Sequence, residues 1–202
     1  MKEFTVLMAL VDFLPVLLFA AAAVILQRDL YHRMSKGAFA LFAAGTIDVI
    51  CAGALKALYK LLYAAGVCDF QPLSQMFFPV QSIGFLLAGI GIIAMLTHRQ
   101  GTALLAVAPP LWSGTFLFVA LMVAGVGCVN GGLIALSRKL KKTSAVICFV
   151  LSFFFILGMG YLSSKDFTEG LMNWVAQGVN TIGQGLLLGG VLILHNAGLA
   201  DC

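Results

Sequence analysis

The sequence predicts an all-α protein, a polytopic bundle of transmembrane helices. Hydrophobic residues make up 61% of its 202 residues and charged residues only 10%, whereas soluble domains carry about 25% charged residues. The charges lie in short clusters between apolar runs, and several runs reach the ~20 residues that a helix needs to cross the hydrocarbon core. We therefore expect residues 1–202 to form a single integral membrane domain.

Five apolar runs are assigned directly as membrane-spanning helices. They cover about 5–27, 38–64, 73–97, 145–163 and 171–194. The remaining apolar stretch, 98–137, is long for one span and short for two. The number of spans is therefore six or seven, and it depends on this stretch.

The distribution of Lys and Arg favours seven spans. With a single span in 98–137, the twelve basic residues divide almost evenly between the two faces. With two spans, Arg99 and the basic loops around Arg33 and Lys141 share one face, which then holds eight of the twelve. Cytoplasmic loops are enriched in Lys and Arg. We expect seven spans, with six as the alternative, in the plasma (inner) membrane with the N-terminus outside and the C-terminus in the cytoplasm.

Local chemistry in the ambiguous stretch also favours two helices. Pro109 and Pro110 lack the amide hydrogens that a continuous helix requires, and Trp112 is suited to a membrane interface. Ser113 and Thr115 can cap a following helix. These features predict a short linker helix over about 100–112 and a full span that begins near 115.

The two halves of the chain resemble each other. Residues 81–89 (QSIGFLLAG) align with 180–188 (NTIGQGLLL), and the basic loop that begins Arg28-Asp29-Leu30 matches the one that begins Arg138-Lys139-Leu140. This similarity predicts two three-helix repeats, about 5–97 and 115–195, on either side of the linker helix. Seven spans give the repeats the same orientation, and six spans give them opposite orientations.

The arrangement of three, one and three helices resembles the SWEET sugar transporters, the PQ-loop proteins and the PnuC vitamin transporters. The resemblance covers the whole chain and concerns architecture alone. Pro79-Val80-Gln81 departs from the adjacent Pro-Gln of the PQ-loop signature, so no site residue is carried over. The resemblance implies a carrier of a small solute.

Polar residues inside the predicted spans are candidate binding groups, because charged side chains there are costly and usually face the bundle interior. Counting 1.5 Å per residue places Asp12, Lys56 and Gln81 at similar depths. Gln177, Asn180 and Gln184 recur along one face of the last span. The structural alternative for these residues is an Asp12–Lys56 ion pair with hydrogen bonds between helices.

Asp48 is the strongest single candidate for a substrate-binding or proton-coupling carboxylate. It lies near the middle of the second span, and no basic residue shares its depth. Asn130 is a further candidate, within Gly127–Gly131. This G-x-x-x-G spacing and that of Gly185 and Gly189 predict close helix packing.

No catalytic, metal or cofactor motif is present in the sequence. His32, His98 and His195 fall at or beyond helix ends, and the five cysteines lack metal-binding spacing. We therefore expect no enzyme activity, no cofactor and no nucleic-acid partner. The expected partners are membrane lipid, a small-molecule solute, and either further copies of the chain or a partner subunit.

These observations predict a membrane transporter or facilitator for a small polar solute, with its binding cavity between the two three-helix repeats. The alternative is a non-catalytic membrane subunit, such as a substrate-capture component or sensor of a larger complex. A water-filled central cavity favours the transporter, and a tightly packed bundle favours the subunit.

Overall fold

The computed structural model describes residues 5–97, 115–163 and 170–201, and all the regular structure in these ranges is helical. The helices are α1 (Val6–Val11), α2 (Phe13–Leu30), α3 (Lys36–Ala65), α4 (Pro72–Gln75), α5 (Phe77–Leu96), α6 (Thr115–Lys139), α7 (Thr143–Ser163) and α8 (Gly170–Asn196), followed by a 3₁₀ turn at Leu199–Asp201. The all-α prediction is confirmed. The predicted linker helix at about 100–112 lies outside the described residues.

Helices long and apolar enough to cross a membrane dominate the described chain. Five segments meet this condition: Val6–Leu30, Lys36–Ala65, Pro72–Leu96, Leu117–Lys139 and Met172–Asn196. α7 contributes a further apolar stretch, Thr143–Met159. The protein is therefore an integral membrane protein built as a helical bundle.

The junction between α1 and α2 falls at Asp12. Pro15 lacks the amide hydrogen that would bond the carbonyl of Val11 four residues earlier. The helix is therefore interrupted at Asp12, which follows α1 and precedes α2. The amide of Asp12 donates a hydrogen bond to the carbonyl of Met8. This interruption fixes the position of a buried carboxylate inside the first membrane-spanning segment.

The six long helices form a closed ring. α2 packs on α3, α3 on α5, α5 on α6, α6 on α7 and α7 on α8, and α8 returns to contact α2. Since each helix touches the one before it and the one after it, all six can reach a common interior.

Helix directions follow from the residues that meet at each contact. α5 and α6 run parallel, because Gly89 lies beside Cys128 while Ile92 and Leu96 lie beside Gly132. The other contacts between consecutive helices are antiparallel; Gly84 meets Gly45, for example, whereas Gly91 meets Ala38. α2 and α8 are parallel, since Arg28 contacts His195 near both C-terminal ends.

These directions give the ring two distinct ends. The basic end carries both described basic loops, with Arg28, Arg33, Lys36, Arg138, Lys139, Lys141 and Lys142. The opposite end, where α2, α5, α6 and α8 begin, is called the cavity end, because the bundle has a cavity in that half. The two basic loops thus lie at the same end of the bundle.

The basic end is closed by polar contacts between the first and last helices. His195 Nδ1 lies 2.8 Å from Asp29 Oδ2, and the Asp29 side chain is almost completely buried. Arg33 donates to the carbonyl of Leu199 at 3.0 Å, and Leu199 is fully buried. The 3₁₀ turn that contains Leu199 therefore forms part of the seal at this end.

The close helix contacts use glycines other than those singled out in the sequence. No described atom of another helix lies within 4 Å of a methyl group built on Gly131, Gly185 or Gly189. Such a methyl group on Gly125 would lie 2.5 Å from the amide nitrogen of Leu86. The prediction of close packing through Gly127–Gly131 and Gly185–Gly189 is therefore wrong, because those glycines do not face the neighbouring helices closely.

Corresponding contacts recur in the two halves of the ring. In the first half, Gly84 of α5 lies against Gly45 of α3, and Gly91 lies against Phe42. In the second half, the carbonyl of Gly183 of α8 accepts a 2.8 Å hydrogen bond from Ser152 of α7, and Gly190 lies against Phe149. The two glycines are seven residues apart in each half.

Candidate functional site

A partly open cavity of about 90 Å³ lies inside the ring, in the half of the bundle nearer the cavity end. Side chains from all six long helices line it. Its deepest polar residue is Gln184, which lies roughly 21 Å along α8 from Gly170 at 1.5 Å per residue. The cavity therefore extends from the cavity end to about the middle of the bundle.

The polar lining includes most of the residues predicted from the sequence. Six of the eight candidates share this one cavity: Asp12, Lys56, Gln81, Gln177, Asn180 and Gln184. They come from four different segments of the chain, so the ring rather than any local motif brings them together.

Asp12 forms its ion pair with Lys60. The Lys60 ammonium lies 2.5 Å from Asp12 Oδ2, and the two side chains are 17% and 9% exposed. The alternative of an Asp12–Lys56 ion pair is therefore wrong. Lys60 is one helical turn beyond Lys56, and it lines the cavity as well.

Lys56 lies against an aromatic ring. Its ammonium is 3.9 Å from the centroid of the Phe77 ring, within the range of a cation–π contact. No carboxylate among the described residues forms an ion pair with it. The cavity therefore contains two ammonium groups and one carboxylate in its described lining.

The polar stripe of α8, formed by Gln177, Asn180 and Gln184, lines the cavity from the second half of the chain. Gln177 and Gln184 are 5% and 6% exposed. Gln177 Nε2 and Gln184 Oε1 are both buried without a hydrogen-bond partner in the described part of the chain. Buried polar groups are nearly always hydrogen-bonded in native proteins. Asn130 Oδ1, away from the cavity, is also buried without a partner among the described residues. The two glutamines therefore indicate a solute or water site only in combination with the cavity that they line.

Apolar side chains form the deep wall of the cavity. Val49 and Ile156 occupy similar places on α3 and α7, and Phe19 lies between them on α2. Phe19 also packs edge-to-face on Phe85 at 5.7 Å and lines a smaller apolar void toward the basic end. The polar cavity is thus separated from the basic end by a hydrophobic layer.

Asp48 and Asn130, the remaining candidates, lie elsewhere. Asp48 is half-buried at the contact between α3 and α5, where its Cβ is beside Gly84. Asn130 is buried in α6 and donates to the carbonyl of Val126 of its own helix at 3.0 Å. Neither contributes to the cavity lining, so the structure does not place Asp48 where the sequence predicted a solute-binding carboxylate.

Residues 5–97, 115–163 and 170–201 contain no group of three His, Cys, Asp or Glu side chains arranged to hold a metal ion. His195, one of the three histidines considered in the sequence, is engaged with Asp29 at the basic end. The polar groups of the cavity are ammonium, carboxylate and amide groups. Such groups can bind and orient a polar solute.

Comparison with known proteins gives no match to this chain among protein families, curated proteins or solved structures. The architectural resemblance to transporters with three, one and three helices therefore has no support from a specific relative. The functional argument depends on the geometry of the cavity.

Proposed function

We propose that this protein is a carrier or facilitator for a small polar solute, which binds in the central cavity between two three-helix repeats. The observation that carries the proposal is a partly open cavity with seven polar lining residues in one half of a membrane bundle, with buried unpaired amide atoms on Gln177 and Gln184. Transporters commonly hold their substrate near the bilayer midplane, at the interface between repeats. The protein is on this proposal a non-catalytic membrane protein.

The parallel arrangement of α5 and α6 supports a topology of seven crossings. Leu96 ends α5 at the basic end, and Thr115 begins α6 at the cavity end. Both helices therefore run from the cavity end to the basic end. Seven crossings place both basic loops on one face, which we assign to the cytoplasm of the plasma (inner) membrane. The cavity then opens to the outside.

The recurring contacts support a true internal repeat. Gly84 and Gly183 occupy equivalent places in the aligned segments of the sequence, and so do Gln81 and Asn180, which both line the cavity. A repeat of this kind relates the halves by an axis along the membrane normal, as in other parallel-repeat carriers. Its two interfaces are the contacts of α5 with α6 and of α8 with α2.

Alternating access follows from these interfaces. The basic end is closed by the Asp29–His195 and Arg33–Leu199 contacts, and the cavity lies in the opposite half of the bundle. Rocking of one repeat against the other would separate Asp29 from His195, because they lie on opposite sides of the α2–α8 interface. The same motion would narrow the cavity end and expose the solute to the cytoplasm.

Transport by the purified protein in liposomes tests the proposal. The assay is counterflow of radiolabelled sugars, nucleosides, vitamins, amino acids, amines and small organic acids. We expect uptake of one class, reduced by Gln184→Leu, which removes a cavity amide, and unchanged by Asp48→Asn, which lies outside the cavity. Binding without counterflow would favour a substrate-capture or sensor subunit, and no binding of any class would refute the solute site.

A further inference from the structure

Among the described residues that line the cavity, positive charges outnumber negative ones. Lys60 is paired with Asp12, and Lys56 has no ion-pair partner in the described chain. A cation in a poorly solvated site interacts strongly with any anion that reaches it, because screening by water is weak.

The position of Lys56 directs its ammonium toward the cavity rather than toward lipid. The ammonium lies over the Phe77 ring, and both residues are part of the cavity lining. An aromatic face attracts a cation but does not neutralise its charge. The ring contact therefore leaves the hydrogen-bond donors of Lys56 available to a solute.

The neutral hydrogen-bonding groups lie on another element. Gln177 and Gln184 of α8 both line the same cavity, and each has one buried, unpaired amide atom. The nitrogen and oxygen of a side-chain amide can exchange places by a flip, so the pair can supply both a donor and an acceptor. α3 thus supplies a positive charge, and α8 supplies polar groups without charge.

We propose that the cavity binds a small organic anion that carries a carboxylate and a neutral hydrogen-bonding group such as a hydroxyl. The carboxylate meets the ammonium of Lys56, and the neutral group meets the amides of Gln177 and Gln184. A cavity of about 90 Å³ fits a solute of a few carbon atoms. This inference rests on the proposed function, since it names the class of solute for that same cavity.

Matched pairs of solutes test the charge requirement directly. Hydroxycarboxylates of two to six carbons, each beside its neutral carboxamide, would be titrated into the purified full-length protein by calorimetry, with inorganic phosphate as a further probe. We expect at least one carboxylate to bind about tenfold or more tightly than its amide, because a hydrogen bond to a charged group is stronger than a neutral one.

Three variants separate binding from folding. Lys56→Met should weaken carboxylate binding about tenfold or more, and Lys56→Arg, which keeps the charge, should restore most of it. Lys36→Met is the matched control, because Lys36 is an exposed lysine at the other end of the same helix. The midpoint of thermal unfolding without solute, measured for each variant, shows whether the bundle is intact.

These experiments distinguish an error in the solute class from a failure of the proposed function. If the carboxamides bind as tightly as the carboxylates, or phosphate binds more tightly than both, the solute class is wrong while the solute site stands. An intact Lys56→Met protein that binds carboxylates normally would also overturn the class. If no compound binds here or in the counterflow panel, the proposed function fails as well.

Discussion

At the scale of single residues, the pair formed by Asp12 and Lys60 is the main electrostatic feature of the cavity. Both side chains are largely buried and in direct contact. Removing one member of a buried pair leaves the other charge without compensation, which costs about 3–5 kcal/mol in proteins. The pair therefore contributes to the integrity of the cavity whatever solute it binds.

We predict that Asp12→Asn lowers the free energy of unfolding by about 3 kcal/mol, measured by reversible unfolding in mixed micelles. Asp48→Asn is the matched control, because Asp48 is half-buried in a neighbouring helix without an ion pair in the described chain. The double variant Asp12→Asn with Lys60→Gln should regain part of the loss. Equal losses for Asp12→Asn and Asp48→Asn would contradict the importance of this pair.

A second prediction concerns the seal at the basic end. The Asp29 carboxylate is 2% exposed and accepts from His195 Nδ1 at 2.8 Å when that nitrogen carries the proton. His195→Leu leaves the carboxylate without this donor and should lower the free energy of unfolding by about 1–3 kcal/mol. His195→Asn, whose amide can replace the Nδ1 donor, should retain most of the stability. Similar losses in both variants would show that the hydrogen bond is not the stabilising contact.

At the scale of helices, small residues determine how closely neighbours approach. α5 and α6 meet where Gly125 lies against the backbone of Phe85 and Leu86. Lipid chains are as apolar as the helix surfaces, so helix association in a membrane depends on close packing more than on the hydrophobic effect. A glycine that meets a neighbouring backbone is therefore a sensitive position.

A pair of substitutions in α6 tests this packing. A methyl group on Gly125 would lie 2.5 Å from the Leu86 nitrogen, whereas one on Gly131 would meet no atom within 4 Å. We predict that Gly125→Ala destabilises the protein by about 1–3 kcal/mol through overpacking. Gly131→Ala should be neutral or stabilising, because Ala has the higher helix propensity. The same loss in both variants would place the contact elsewhere.

At the scale of the whole molecule, the ring has one basic end and one end that opens to the cavity. The loops that contain Arg33 and Lys141 lie together, and the turn at Val67 that follows α3 lies at the opposite end. This arrangement predicts that the loops around Arg33 and Lys141 share one face of the membrane and that the turn at Val67 lies at the other face.

Cysteine labelling in intact cells tests this topology. In a background without the native cysteines, Arg33→Cys and Lys141→Cys should react with a membrane-impermeant maleimide only after the cells are permeabilised. Val67→Cys should react in intact cells. Labelling of Arg33→Cys and Lys141→Cys from opposite faces would refute the parallel arrangement of α5 and α6, and the reverse pattern for all three would invert the assigned orientation.

The sequence by itself determined the helical, membrane-spanning class and most of the polar residues of the cavity. Long apolar runs leave few alternatives to helices, because backbone groups in lipid must be satisfied within the segment. Polar residues at matching depths were recognisable because a helix rises by a constant 1.5 Å per residue. Depth alone was enough to group Asp12, Lys56 and Gln81 with the polar stripe of α8.

Only the tertiary structure decided what each side chain faces. Asp48 lies near the right depth but on the wrong side of α3, and Lys60 rather than Lys56 reaches Asp12. Gly125 contacts a neighbouring backbone, whereas the glycine of the G-x-x-x-G at 131 does not. Lipid and bundle interior are similarly apolar, so hydropathy fixes the depth of a residue but says little about the rotation of its helix. That rotation is set by packing against the other helices of the ring.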